Sequence, residues 1–189
     1  RGHVDPRLSE VTSDNVAGGR LAGAFLVAGG HRRIAHVSGW EGATTGRDRR
    51  AGFEAALAEA GLAPVAVVDG QYERRRAAEA VMQLCAGPDR PDAIFVGNDH
   101  MAFGVMDALR GPLGLLVPGD VSVVGYDDVP AAAWGAYDLT TVRQPLTRMV
   151  EATVETLLDQ IESGTRVPRK AAIAGRLVVR SSARRQEGW

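Results

Sequence analysis

The chain has 189 residues, enough for one large hydrophobic core or two small ones, and its 45% hydrophobic and 24% charged residues are typical of a soluble globular protein. Its 22 basic and 23 acidic residues give no basic excess, so the chain itself is a poor candidate for binding the phosphates of nucleic acids. Cys85 is the only cysteine, which excludes an internal disulfide, and no apolar run approaches the roughly 20 residues that span a bilayer.

Strands and helices are predicted to alternate as far as residue 128. The opening residues through position 12 are predicted as loop, and Ser13-Asp14-Asn15 supplies caps for a first helix that ends at Gly29-Gly30. The later predicted elements are, in order, a strand at 34–39, a loop at 40–47, a helix at 49–60, a strand at 65–68, a helix at 74–85, a strand at 93–97, a helix around 101–109 and a strand at 121–125. Because the strands are apolar runs without alternation, they predict an α/β fold, with a parallel sheet, helices on both faces and right-handed crossovers.

The chain changes character after residue 128. An irregular segment at 130–137 leads to a short β-like run at 139–142, and the longest helical pattern follows from Thr147 to Ser163. A last extended piece at 177–180 precedes a polar tail. Since the long helix has no long strand of its own before it, we expect it to belong to a different layer or a second lobe.

Polar side chains follow each of the predicted strands before residue 128. They are Arg49 after the loop of the first strand, Tyr72 after the second, Asn98 after the third and Asp127 after the fourth. In parallel sheets of this kind the ligand crevice lies beyond the carboxyl ends of the strands. An Arg fork and a carboxylate can each engage two neighbouring hydroxyls, and an aromatic ring can cover the apolar face of a sugar. The set therefore predicts binding of a polyol rather than catalysis.

These residues also have structural alternatives. Asn98 or Asp99 could cap the helix that follows, Arg49 could be a solvated member of a charged run, and Tyr72 could simply pack its ring in a loop. Asp127 and Asp128 cannot both be explained as caps of a helix start, because Pro130 follows so soon.

The sequence lacks the common motifs for catalysis, nucleotides and metals. It contains neither a GxxxxGK[ST] loop nor a GxGxxG after a strand, and its four histidines form no HExxH or other ligand cluster. Ser38 ends a strand, but Val37-Ser38-Gly39 is not the GxSxG elbow that presents a hydrolase nucleophile. We therefore expect no metal site, no cofactor and no enzymatic activity.

Several longer motifs follow one another in a recognisable order. They are Gly30–Ala35, Arg49–Phe53, Pro91–Phe95, Asn98–Gly104, Pro118–Asp128 and Leu139–Pro145. Together, at these intervals between about residues 14 and 180, they closely resemble the LacI/GalR family of transcriptional regulators.

The resemblance implies a type I periplasmic-binding-protein-like sensor of two lobes, with a small effector held in the cleft between them. By position, it implies these ligand-binding residues: Arg49, Tyr72, Asn98, Asp127, Gln144 and Leu146. Tyr72 would supply an aromatic ring, and Gln144 and Leu146 would face the cleft where the chain recrosses into the other lobe. The family usually forms side-by-side dimers, which here would bury helix surface near Phe103 and the loop at 130–134.

The resemblance also divides the chain. Residues 14–141 would form the C-terminal lobe, 142–172 a segment recrossing into the N-terminal lobe, and 173–182 a final strand returning to the C-terminal lobe. The family's helix-turn-helix headpiece, its hinge helix and most of its N-terminal lobe have no counterpart in this sequence. We therefore expect an N-terminally truncated sensor in which the apolar face of the recrossing helix, at Val154, Leu157 and Ile161, is partly uncovered.

The expected function is that of the effector-sensing domain of a cytoplasmic, homodimeric regulator that has no contact with membranes. It would bind a small sugar-like metabolite and act on operator DNA only through the missing headpiece. A periplasmic or secreted sugar-binding protein of a transporter has the same fold and is the alternative, and a hydrolase using Ser38 is a third class. The sequence leaves open which effector binds and whether it acts as inducer or corepressor.

Overall fold

The computed structural model describes residues 5, 7–164, 167–186 and 188. Parts of three predictions lie outside the described residues: the N-terminal loop at 1–4 and 6, the recrossing segment at 165 and 166, and the tail at 187 and 189. The elements in chain order are β1 (Glu10–Ser13), α1 (Asn15–Ala28), β2 (Ile34–Ser38), α2 (Thr44–Glu59), β3 (Ala66–Asp69), α3 (Arg74–Leu84), β4 (Ala93–Val96), α4 (Asp99–Arg110), β5 (Ser122–Asp127), a 3₁₀ helix (Pro130–Ala133), β6 (Thr140–Arg143), α5 (Leu146–Ser163), β7 (Lys170–Ile173) and β8 (Arg176–Val178).

The main sheet has the strand order β3-β2-β4-β5-β6-β8. Strands β2 to β6 pair in parallel, and β8 runs antiparallel to β6 at one edge. Helices α1 and α2 cover one face, where Phe53 packs with Phe95, and α3 and α4 cover the other, where Val81 and Met101 pack with Ile94. The predicted α/β fold with a parallel sheet and helices on both faces is thus confirmed.

A second, smaller sheet consists of β1 and β7, which pair in parallel from Glu10 opposite Lys170 to Ser13 opposite Ile173. The predicted loop through residue 12 is therefore wrong for residues 10–12, and β7 has no counterpart among the predicted strands. Each strand has four residues and its partner lies near the other end of the chain, so neither carries a local signal. This sheet lies apart from the main one.

Helix α5 packs against β1 and β7 rather than against the main sheet, as expected for a different layer. It buries none of its described residues. Val154, Leu157 and Ile161 are 49%, 54% and 75% exposed, which confirms the prediction of a partly uncovered apolar face. The domain boundaries at residues 141, 172 and 182 stay predictions. No helix of the described part is both long enough and apolar enough to cross a membrane.

Helices α1 and α2 approach each other to backbone contact. A Cβ at Gly19 of α1 would lie 1.9 Å from the carbonyl oxygen of Arg49, and a Cβ at Gly52 of α2 would lie 1.9 Å from that of Val16. Only glycine leaves room for so close a crossing. The crossing brings the first turn of α1 beside Arg49, at the carboxyl edge of the main sheet.

Candidate binding site

Arg49 extends from α2 into a buried position at the carboxyl edge and is 5% exposed. Its Nε donates to Oδ1 of Asn15 at 2.9 Å, and Nη1 donates to the carbonyl oxygen of Gly97 at 2.6 Å. Its Nη2 lies 3.5 Å from Oδ1 of Asp127, and its guanidinium stacks 3.6 Å from the centroid of the Tyr126 ring. The alternative of a solvated charged residue is therefore wrong for Arg49.

Asp127 ends β5, and its Oδ1 also accepts a hydrogen bond from Nε2 of Gln144 at 2.6 Å. Burial raises the pKa of Asp127, while Arg49 and Gln144 act in the opposite direction. The backbone φ is 116° at Asp127 and 56° at Asp128, values that non-glycine residues rarely adopt. Such conformations concentrate at ligand sites, where the surrounding structure holds them in place.

Asn98 and Asp99 open α4 in different ways. Asn98 is the N-cap, because its Oδ1 accepts from the backbone N–H of Met101 at 2.9 Å. Asp99 accepts from the Thr141 hydroxyl at 2.6 Å and from the backbone N–H of Val129 at 2.9 Å. Of the two capping alternatives, the structure thus selects Asn98, and a ligand contact by Asn98 stays a prediction.

Tyr72 and Leu146 lie at the borders of this cluster. The Tyr72 ring packs on Gly39, where a Cβ would stand 2.0 Å from the ring Cζ, and its hydroxyl is 3.2 Å from Oγ1 of Thr45. The alternative in which Tyr72 packs its ring is therefore confirmed, and its hydroxyl still reaches α2. Leu146 begins α5 and is 63% exposed. Contact of either residue with a ligand stays a prediction.

A polar cavity of about 330 Å³ separates the small sheet from the start of α2. Its lining residues are Glu10, Val11, Thr12, Ser13, Asn15, Thr44, Thr45, Asp48, Gln144 and Met149. Of the predicted site residues, Gln144 is the one that lines this cavity in the described part of the chain. The prediction missed the threonines because it began the second helix at Arg49 instead of Thr44. Since Ala43 makes no side-chain cap at that helix start, the sequence gives no start signal there.

The groups around this cavity carry more negative than positive charge. Glu10 and Asp48 line it, and Asp127 lies beyond Gln144 at its edge. Arg49 is matched by Asp127, and Glu10 lies 3.8 Å from Lys170. Hydroxyl, amide and carboxylate oxygens offer many acceptors for a ligand's donors.

A parallel sheet whose carboxyl edge faces a second sheet across a polar cavity defines a ligand-binding domain of the periplasmic-binding-protein type. The model of the periplasmic binding protein-like domain matches residues 23–183. The chain belongs to this family and is an effector-binding domain of the LacI/GalR type. The family predicted from the sequence motifs is therefore confirmed.

Three similar proteins are named as regulators. The HTH-type transcriptional repressor PurR of Photobacterium profundum is 33% identical over 183 residues, which cover 96% of this chain and 54% of that repressor. A LacI transcriptional regulator from a Rhodococcus species is 41% identical with a TM-score of 0.89, covering 97% of this chain and 67% of that one. The transcriptional regulator CelR in complex with cellobiose is 33% identical with a TM-score of 0.87, covering 96% of this chain and 56% of that one. The chain thus spans about half the length of the curated relative.

Proposed function

We propose that the chain is the effector-binding part of a LacI-type transcriptional repressor and that its effector is an uncharged, hydroxylated metabolite such as a sugar. The observation that carries the proposal is the contact of Arg49, Asp127 and Gln144 at the edge of the polar cavity. Arg49 comes from α2 and Asp127 from the end of β5, and Gln144 lies on the segment leading to α5. A ligand bound there touches both sides of the cleft.

The hydrogen-bonding capacity left at the cluster supports a polyol ligand. A guanidinium has five N–H donors, and among the described residues three face Asn15, Gly97 and Asp127, which leaves one N–H on each Nη. Within the described part of the chain, both side-chain contacts to Asp127 use Oδ1, so Oδ2 remains an acceptor. Two donors and an acceptor on adjacent groups match neighbouring hydroxyls of a ligand. Each buried hydroxyl left without a partner would cost about 1 to 3 kcal/mol, so the site selects for the right pattern.

The charge around the cavity argues against an anionic effector. A phosphate would meet Glu10 and Asp48, while Arg49, the nearest buried cation of the described cluster, is already matched by Asp127. Like charges brought together in a cleft that excludes water repel strongly. We therefore expect sugars to bind and the corresponding sugar phosphates not to bind.

The regulatory step follows from the position of Gln144. A ligand that bonds to Asp127 alters the contact between the main sheet and the segment leading to α5, and so favours one arrangement of the lobes over another. The ligand can shift that equilibrium only by its difference in affinity for the two states, typically about 1 to 3 kcal/mol. A DNA-binding headpiece encoded outside the present sequence would sense the shift, within a homodimer in the cytoplasm.

The α4 face near Phe103 is our proposed dimer contact. The Phe103 ring stacks on Tyr137 at 4.3 Å, and Tyr137 also receives a hydrogen bond from Arg74 at 3.1 Å. Trp134 is 62% exposed in the loop beside them. Aromatic and arginine side chains of this kind are common at the centres of protein interfaces.

Binding without catalysis is favoured over the hydrolase hypothesis. Ser38 is 2% exposed, and its hydroxyl donates to the carbonyl oxygen of Val68 at 3.3 Å. A nucleophilic serine needs an adjacent base and access to substrate. The relative and the two similar structures are named as regulators, which also favours a repressor over a transporter's binding protein.

The proposal is tested by thermal shift with cellobiose, D-ribose, ribose 5-phosphate and hypoxanthine on the complete gene product. A ligand at 100 times its dissociation constant should add about 2.7 kcal/mol to the stability of the folded state. Asp127→Ala should remove the shift. Asp89→Ala, at a carboxylate that is 93% exposed, is the matched control and should keep it. A shift that survives Asp127→Ala, or one produced by the sugar phosphate alone, would contradict the proposal.

A further inference from the structure

Asn15 makes two buried hydrogen bonds that connect a strand of the small sheet to Arg49. It is the first residue of α1, separated from β1 by Asp14 alone, and is 7% exposed. Its Nδ2 donates to the carbonyl oxygen of Ser13 at 3.0 Å, while its Oδ1 accepts from Nε of Arg49 at 2.9 Å. The amide has one possible orientation here, because a carbonyl can only accept and a guanidinium can only donate.

We propose that Asn15 is a positioning residue of the effector site: it fixes the plane of the Arg49 guanidinium and ties that plane to β1. The inference rests on the proposed function, since it assigns Asn15 a role in the same site. Asn15 also lines the polar cavity, together with Ser13. The side chain of its helix-capping neighbour Asp14, by contrast, bonds only locally among the described residues, accepting from the backbone N–H of Ala17 at 2.9 Å.

The plane of the guanidinium decides where its remaining donors point. Asn15 holds Nε, and the carbonyl oxygen of Gly97 holds Nη1 from another direction. Two bonds to different atoms of one rigid planar group fix its rotation as well as its position. Without Asn15, Arg49 keeps the Gly97 bond, the Tyr126 stack and the 3.5 Å contact with Asp127, but its Nε–H loses its partner and Gly97 alone holds the guanidinium by a hydrogen bond shorter than 3 Å.

The hydrogen bonds of Asn15 also complete a series of polar contacts between the end of β1 and the segment that joins β6 to α5. The series runs from Ser13 through Asn15, Arg49 and Asp127 to Gln144. Ser13 ends β1, and Gln144 lies between β6 and α5. A movement of either connection therefore reaches the guanidinium and carboxylate that face the ligand. This is the kind of contiguous contact through which coupling between lobes is carried.

The first test needs no ligand. The Nε–H resonance of Arg49, assigned as the signal lost in Arg49→Lys, should exchange slowly with water in the wild-type protein because it is buried and bonded. Asn15→Ala should abolish that signal or strongly accelerate the exchange of its proton with water. Asn15→Asp, which keeps the acceptor, should restore it. The control Asp14→Ala should leave the signal intact although it loosens the same helix start.

The second test is a double-mutant cycle with cellobiose as the titrated probe. Asn15→Ala should weaken cellobiose binding about tenfold in the wild-type background, the usual scale for a lost hydrogen bond to a charged group. In the Arg49→Lys background the same change should alter affinity less than about twofold, because the partner it positions is gone. Asp14→Ala should leave the affinity unchanged.

The two tests separate the failure of this inference from the failure of the proposed function. An Nε–H signal that survives Asn15→Ala, or an equal loss of affinity in both backgrounds, would overturn the positioning role while leaving a sugar site in place. If cellobiose does not bind at all, the resonance of the free protein still decides on Asn15.

Discussion

Replacing Asp99 by asparagine should make the protein more stable at neutral pH. Asp99 is fully buried at the start of α4, and burial, more than the neighbouring Asp127 and Asp128, raises its pKa to about 7. In its protonated form one oxygen can donate to the Thr141 hydroxyl while the other accepts from the N–H of Val129. Asparagine offers the same donor and acceptor without any charge.

The magnitude follows from the difference between the folded and unfolded states. An unfolded aspartate has a pKa of 3.8, so between about pH 4 and pH 7 the folded protein holds a proton that the unfolded chain has released. Stability contributed by this group is therefore lost as the pH rises through that window, and no further loss occurs above it. Three pH units correspond to about 4 kcal/mol, which is the upper bound for the gain from Asp99→Asn at pH 8.

The assay is urea unfolding of the wild-type and Asp99→Asn proteins between pH 4 and pH 8. The comparison must use the difference between the two, because burial also lowers the pKa of His36 to about 4. His36 makes stability rise with pH over nearly the same window, which masks the effect of Asp99 in the wild-type profile. The difference should be close to zero at pH 4 and should grow to its full value near pH 8. Asp107→Asn, at an exposed carboxylate of the same helix, is the control and should change stability by about 1 kcal/mol at most. A constant difference for Asp99→Asn at all pH values would refute the reasoning.

Two further predictions concern the packing. Gly19→Ala should destabilise the fold by about 3 kcal/mol or more in urea unfolding, because its Cβ would lie 1.9 Å from a carbonyl oxygen of α2. Gly87→Ala is the control and should change stability little, because a Cβ there meets nothing within 4 Å among the described residues. Equal effects of the two variants would contradict the close helix crossing. Ile161→Glu in the 189-residue chain should reduce the fluorescence of a dye that binds apolar surface, without lowering the melting temperature, because Ile161 is 75% exposed; unchanged dye binding would show that the apolar face of α5 is covered in solution.

The main sheet could be predicted from the sequence because its strands carry the signal themselves. All residues of β2 and β4 are buried, and each strand is an apolar run between clear helical patterns. The small sheet could not be predicted in this way. Its β1 strand contains Glu10 and Thr12, and β7 begins with Lys170, so both resemble loops until their pairing across the length of the chain is known. Pairing between distant segments leaves no periodic trace in either one.

The residues of the candidate site also differ in whether the local sequence points to them. Asp127 was accessible to sequence reasoning because it ends a buried strand, and Arg49 because it follows one on a helix. Asn15 was assigned only to a helix start, since its importance depends on the backbone contact between α1 and α2 that brings it to Arg49. The recrossing residue Gln144 was found through the family resemblance, and no local pattern points to it.

Under the proposed function, the arrangement around Arg49 favours a switch that acts on the segment between β6 and α5 and leaves the main sheet unchanged. A buried guanidinium is tolerated only when it is paired and bonded, and here Asn15, Gly97 and Asp127 meet that need before any ligand arrives. Gln144 is different, because its contact with Asp127 joins the main sheet to the segment that leads into α5. A ligand that draws the carboxylate toward its own hydroxyls would weaken this charge-assisted hydrogen bond, which is worth about 1.5 to 3 kcal/mol. That is the size of a typical allosteric coupling energy, so this single contact is large enough to set the preference between lobe arrangements.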